Sequence, residues 1–139
     1  MALHRSFTSL GRRLRRIASN VTGNTTKVVR KAALAADQVA VLATPVDTGR
    51  ARGGWTVGIG RAARSPQDRL DPTGSQAIAD GASTINTWKV GQGPINISND
   101  VVYVPRLDAG YSEQAPNGMS AQAIAAARDV LASAKLLED

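Results

Sequence analysis

The chain has 139 residues, a formal net charge of +6, no cysteine and one histidine, His4. Those counts exclude disulfides, thiolate metal sites, cysteine nucleophiles and any metal site built on two or three histidines of one chain. A Ser-His-Asp triad would have to recruit His4 at the N-terminus, so an enzyme of that kind is not expected. The length predicts one domain, and no apolar run approaches the roughly 18 residues of a membrane span. Only five aromatic residues are present, Phe7, Trp55, Trp88, Tyr103 and Tyr111. A core of that composition is thin, and neighbouring subunits are expected to add to it. Residues 1–70 carry 13 Lys and Arg against 3 Asp and Glu, whereas residues 71–139 carry 4 against 8. This polarity implies an anionic partner for the N-terminal half, or head-to-tail contact between copies.

Residues 4–22 predict an amphipathic helix. Phe7, Leu10, Leu14, Ile17 and Val21 alternate three- and four-residue steps, a stripe about 80° wide. Arg5, Arg12, Arg13, Arg15 and Arg16 fall opposite it. Gly23-Asn24 reads as a break, with Thr25 or Thr26 capping a second helix that Pro45 stops after Ala43. Residues 44–54 read as a turn-rich connector and Trp55–Gly60 as a strand. Residues 61–74 read as a polar excursion loop. Ser75 opens a third helix to about Trp88, with Ile78, Ala82 and Ile85 inward. A turn at Gly91-Gln92-Gly93-Pro94 leads to a predicted hairpin of Ile95–Ser98 and Val101–Leu107. A loop over 108–118 then leads to an Ala-rich helix from Ser120 to about Leu136, with Ile124, Ala127, Leu131 and Ala134 on one face. The expected fold class is α+β: a long N-terminal helical segment, a small mainly antiparallel sheet of three to four strands packed by helices, and a C-terminal helix. The single domain, 1–139, divides into a helical arm (1–43) and an α+β core (44–139). Residues 1–31 and 61–74, polar and poor in core residues, are expected to order on assembly.

Several short motifs are weaker than they look. Residues 1–23 are Arg- and Ser-rich, acid-free and amphipathic, which also matches a mitochondrial transit peptide; a packed helix with a solvated basic face is the plainer reading. Asp47-Thr48-Gly49 spells the aspartic-protease triplet, but Pro45 precedes it and Arg50 follows it. Gly58, Gly60 and Ala63 fit G-x-G-x-x-A, yet a polar loop follows where a dinucleotide fold needs a helix. The carboxylates Asp47, Asp80, Asp100, Asp108 and Glu113 show no spacing that converges them into a catalytic pair. No cofactor or metal is expected.

Two segments are more specific. One is Thr44-Pro-Val-Asp-Thr-Gly-Arg-Ala-Arg-Gly-Gly-Trp55, and the other runs from Ile97 to Met119 and contains Asn99, Tyr103, Leu107-Asp108, Gly110, Ser112, Gln114-Ala-Pro116 and Gly118-Met119. Together they resemble the neck and tail-completion proteins of tailed bacteriophages, the small head–tail joining and minor tail component family. In that pattern a helical N-terminus leads to T-P-V-D-T-G-x-x-R-x-x-W, and later come N-x-x-x-Y-x-x-x-L-[ED]-x-G, S-x-Q-A-P-x-G-M and a C-terminal helix. The chain departs from it at Pro105, within the expected strand, and has Asp108 where glutamate is usual.

A scaffold role is expected for these motifs. Pro45 ends the helix, Asp47 accepts N–H groups of the turn, and Gly49 takes a positive φ. Arg50 and Arg52 are expected to pair with Asp108 or Glu113, in the same chain or the next. Trp55 and Tyr103 are to anchor the sheet, and Gly110, Pro116 and Gly118 are to shape the loop above Met119. The resemblance implies a non-enzymatic virion structural protein, assembled in the bacterial host cytoplasm into a ring at the head–tail junction around the DNA channel. Its implied partners are six or twelve copies of itself and other neck proteins: a head-completion or connector protein, and the tail terminator or tail tube. The basic helix is expected to face a neighbouring copy, another neck protein or the genomic DNA, with no membrane involved. The alternative is a nucleic-acid-associated protein that uses Arg5, Arg12, Arg13, Arg15 and Arg16 without sequence specificity.

Overall fold

One continuous helix, α1 (Ala2–Ala43), replaces the expected pair of helices. At 1.5 Å per residue it is about 63 Å long. The expected break fails because the hydroxyls of Thr25 and Thr26 donate to the carbonyls of Val21 and Thr22, at 2.7 and 3.0 Å. They hold the existing turn and do not cap a new one. A mid-helix glycine costs only about 1 kcal/mol, so Gly23 is tolerated with long helix on either side. The helix ends where a residue preceding proline resists the α conformation. Thr44 closes it, its hydroxyl donating to Ala40 O at 2.6 Å and its N–H to Val41 O at 3.2 Å.

The computed structural model describes residues 2–110 and 112–134, with side chains described from residue 11 onward. After α1 come α2 (Arg50–Gly53), β1 (Thr56–Ile59), α3 (Ser75–Ile85), β2 (Ile95–Ser98), α4 (Val104–Asp108) and α5 (Ser120–Ala132). The fold is α+β, with a long N-terminal helix, a small antiparallel sheet and a C-terminal helix. The sheet has two strands among the described residues, against three to four expected. β1 and β2 pair antiparallel, Thr56 with Ser98 and Ile59 with Ile95. So β2 takes its partner from across α3 and not from the segment after it.

The expected second hairpin strand, Val101–Leu107, is instead a turn followed by α4. Val101 and Val104 are both buried, a three-residue helical spacing, while Val102 between them is 94% exposed. Pro105 sits in the first turn of α4, where its missing N–H costs nothing. α3 stops at Ile85, short of Trp88; the Trp88 indole donates to Gly93 O at 2.7 Å, which ties the following turn. α5 is described to Ala132, and residues 135 and 136 of its expected end lie outside the described residues.

α1 packs on α5 and α3, and α3 packs on β1. Ala36, Ala40, Val41, Trp55, Val101 and Met119 lie in the core. The alanines allow α1 and α5 to approach closely, so small side chains make a dense contact despite few aromatics. On α5, Ala123 is buried, whereas Ile124 and Leu131 of the expected inward face are half exposed. Among the described residues no helix is long and apolar enough to cross a membrane.

Candidate functional site: the junction of the two motif segments

The two motif segments meet at the C-terminal end of α1. Thr44 is buried there, and its hydroxyl accepts the indole N–H of Trp55 at 2.7 Å while donating to Ala40 O. This relay fixes Trp55, just before β1, to the last turn of α1. Arg52 lies on α2 opposite the open carbonyls of that turn. Its guanidinium donates to Thr44 O at 2.8 Å, Leu42 O at 3.1 Å and Pro72 O at 2.7 Å. A planar cation with several donors suits this place, since the last carbonyls of a helix lack partners and carry partial negative charge. Arg52 thus joins α1, α2 and the 61–74 segment.

Gly49 precedes α2 at φ 86°, and a Cβ there would lie 2.5 Å from Pro72 N and 2.7 Å from Asp71 N. The positive φ and this close approach both demand glycine. Its carbonyl accepts the N–H of Gly53 at 2.8 Å and of Asp71 at 3.0 Å. The carboxylate of Asp47 accepts no hydrogen bond among the described residues; Thr48 Oγ1 accepts the Arg50 N–H in its place. Proline N-terminal to Val46 and an exposed Asp47 leave the turn to Thr48 and Gly49.

The second motif clamps the first directly. Gln114 makes two bonds to Val46, its oxygen accepting the Val46 N–H at 2.9 Å and its amide donating to Val46 O at 3.2 Å. Asn99 does similar work one turn on, donating to Ala51 O at 2.7 Å and accepting the Val101 N–H at 3.1 Å. Asp108 accepts the N–H groups of Met119 and Ser120 at 2.9 and 2.8 Å, and the Ser120 hydroxyl at 2.8 Å. It caps α5 from outside the helix. Burial raises the Asp108 carboxyl, but these three donors outweigh it and hold its pKa below 3.8. The expected pairing of Arg50 or Arg52 with Asp108 or Glu113 is absent among the described residues, because Asp108 serves α5 and Arg52 serves α1. Gly110 and Gly118 take φ 91° and 74°. A Cβ on either would strike backbone, Pro116 O and Asp108 O respectively. Pro116 lies between them in an exposed turn, and Met119 beneath is fully buried. Tyr103 does not anchor the sheet. It precedes α4, is 44% exposed, and lines a cleft of about 180 Å³ with Pro45, Asp47, Arg50 and Gln114.

The 61–74 segment is not a free excursion. Ser65 is buried, donating to Gly54 O at 2.5 Å and accepting the Asp100 N–H at 2.9 Å. Arg69 donates to Gly53 O at 2.7 Å and Trp55 O at 2.9 Å, and forms an ion pair with Asp80. Asp71, 2% exposed, accepts the Ala77 N–H at 2.9 Å in the first turn of α3. Sequence reasoning missed Ser65, Arg69 and Asp71, since polarity alone reads as solvation. The one local hint was Asp71-Pro72 just ahead of a helix start.

Asp37 was missed too. It points from α1 toward α3 and β1, where a Cβ on Gly81 would meet its carboxylate and Val57. Asp37 is 2% exposed, and one of its oxygens has no donor. Burial pushes its pKa up from 3.8 to about 6, against the opposing pull of the Arg69 charge. Among the described residues no three His, Cys, Asp or Glu side chains are grouped to hold a metal ion.

Of the basic residues on α1, Arg12, Arg13, Arg15 and Arg16 are exposed, and the Arg5 side chain lies outside the described residues. Beside the junction, Ala36, Ala40, Trp55, Ile97, Ile124 and Leu131 line an apolar groove of about 350 Å³. At this junction charged and amide side chains bind backbone carbonyls and N–H groups of segments far apart in sequence. Comparison with protein-family models, with curated proteins and with solved structures finds no match.

Proposed function

We propose that the protein is a structural subunit of a tailed-bacteriophage neck, forming a ring at the head–tail junction around the DNA channel. The observation that carries this reading is the joining of the two motif segments into one stiff unit, through Gln114 on Val46 and Asn99 on Ala51. Those segments bear the resemblance, and among the described residues their side chains brace backbone. The function is then surface complementarity between copies and between rings, without chemistry. A head-to-tail contact that closes on itself makes a ring, and the polarity of charge along the chain suits a basic half meeting an acidic half. Other neck or tail-end proteins are the partners above and below.

A nonsense mutation of the gene in its parent phage, with electron microscopy of the lysate, tests this. Filled heads beside unattached tails are expected. Intact infectious particles would refute it.

A second reading has one observation in its favour: four exposed arginines within five residues of α1. It makes the protein a non-specific nucleic-acid binder whose affinity falls steeply with salt.

A further inference from the structure

α1 carries a band of positive charge that no carboxylate of the chain answers. Residues 1–36 hold eight Lys and Arg and no Asp or Glu. Among those with described side chains, Arg12, Arg13, Arg15, Arg16, Lys27 and Lys31 are exposed. At 3.6 residues per turn all six fall within about 160° of the helix surface, along about 28 Å of its length. Arg30 shares the band but is part-buried, its guanidinium donating to Trp88 O at 2.7 Å. Among the described residues the one ion pair is Arg69 with Asp80, so the band stays unneutralised. Its members lie three and four residues apart, Arg12 with Arg15 and Arg16, Lys27 with Lys31, and like charges at those spacings repel. An external polyanion relieves that repulsion.

The acidic half of a neighbouring copy is a poor match for this band. Of its carboxylates, Asp71 holds the first turn of α3, Asp80 pairs with Arg69 and Asp108 caps α5. Asp100, Glu113 and Asp129 remain exposed, on three separate segments. A lipid surface matches poorly too. Beside Lys27 and Lys31 the apolar side of the helix is already packed, with Val28 part-buried and Ala32 buried, so no free apolar face is there to enter a bilayer. A nucleic-acid duplex fits better. The cations form two clusters, 12–16 and 27–31, with centres about 22 Å apart. Between them the same face carries Ser19, Asn20, Gly23 and Thr26, all small and uncharged. A helix laid over a major groove about 12 Å wide can set one cluster on each phosphate backbone. Such contacts fix position and carry no sequence information.

We propose that residues 12–31 of α1 bind the phosphate backbones of duplex DNA along this face. Lys27 and Lys31, on the part of α1 that packs against the body, belong to the site together with the four arginines. The proposal rests on the ring reading for the source of the duplex, the genome in the channel, and names what the helix faces there.

Fluorescence anisotropy of the purified full chain with a labelled mixed-sequence duplex of about 25 base pairs tests it. With about four to six phosphates neutralised, affinity is expected to fall about 10²–10³-fold between about 50 and 200 mM salt. Arg12→Gln with Arg16→Gln, and separately Lys27→Gln with Lys31→Gln, are each expected to lower the log–log salt slope by about 2. Arg61→Gln with Arg64→Gln removes the same charge from exposed positions off the helix and keeps the parental slope. Both helix variants are expected to melt no lower than the parent by circular dichroism, since each removes a like-charge pair; lost binding is then not lost folding. A slope that Lys27→Gln with Lys31→Gln leaves unchanged confines binding to the arm and overturns the proposed face. A slope that falls as far in the Arg61 and Arg64 variant overturns it as well. So does an absence of binding at about 100 μM protein in about 50 mM salt. Binding to polyglutamate or to phosphatidylglycerol vesicles as tight as to the duplex assigns the face to an acidic protein or a lipid surface and overturns it too. DNA binding beside a nonsense mutant that still yields joined, infectious particles keeps the face and removes the neck reading. Heads apart from tails in that mutant, with no DNA binding by the chain, does the reverse.

Discussion

Replacing Asp37 with asparagine is expected to stabilise the protein at neutral pH. The carboxyl is 2% exposed, one of its oxygens has no donor, and burial lifts its pKa from 3.8 to about 6. Between those two values the folded protein keeps a proton that the unfolded chain has released. Stability therefore falls as pH rises through this window, and stays lower above it. Two units at 1.36 kcal/mol each put the cost near neutrality at about 3 kcal/mol. Asparagine keeps the shape and removes the charge, but leaves a buried amide short of partners at a cost of about 1–2 kcal/mol. The net gain is about 1–2 kcal/mol, or about 3–8 °C in Tm for a chain of this size. Thermal unfolding followed by circular dichroism reads it directly. At about pH 7.5 the variant melts higher, and near pH 5 the gap closes as the parent carboxyl takes up its proton. Equal melting at the higher pH, or a parent Tm unchanged between the two, would refute the burial argument.

Two further substitutions test the junction. Gly118→Ala puts a side chain at φ 74° against Asp108 O, and is expected to cost about 2–4 kcal/mol in urea unfolding; a loss under 1 kcal/mol would contradict the close approach. Arg52→Lys keeps the charge but cannot span the carbonyls of Leu42, Thr44 and Pro72 at once. It should lose about 2–3 kcal/mol, and full stability in the lysine variant would mean that charge alone suffices there.

Much of the helical content was legible in the sequence, because apolar periodicity is a local signal. The three-four spacing marked α1, and Pro45 marked its end. The break at Gly23-Asn24 was misread, because a threonine hydroxyl can bond either forward as a cap or back to a carbonyl four residues earlier, and only the second occurs at Thr25 and Thr26. The hairpin was misread for a similar reason. Val101-Val-Tyr-Val104 suits a strand by composition, yet burial of Val101 and Val104 with Val102 exposed is helical spacing. Pro105, a flaw in a strand, is favoured in the first turn of α4.

The junction was legible only in outline. Gly49, Arg52, Trp55, Gly110 and Gly118 were singled out, but the partners of Arg52 were expected to be carboxylates. Backbone carbonyls at a helix end leave no mark in a sequence, so the true partners Leu42, Thr44 and Pro72 were hidden. Ser65, Arg69 and Asp71 were hidden because their bonds reach across tertiary contacts, Arg69 to Gly53 and Trp55 among them. Asp37 sits in an apolar helix face where nothing local announces that Gly81 makes room for it.

If this chain is a ring subunit between head and tail, as proposed, the neck of the parent particle contains it. Cryo-electron microscopy of the neck of the parent particle tests it most directly. A closed ring at the junction is expected, each subunit contributing one helix about 63 Å long. A neck whose density holds no copy of this chain between head and tail would contradict it.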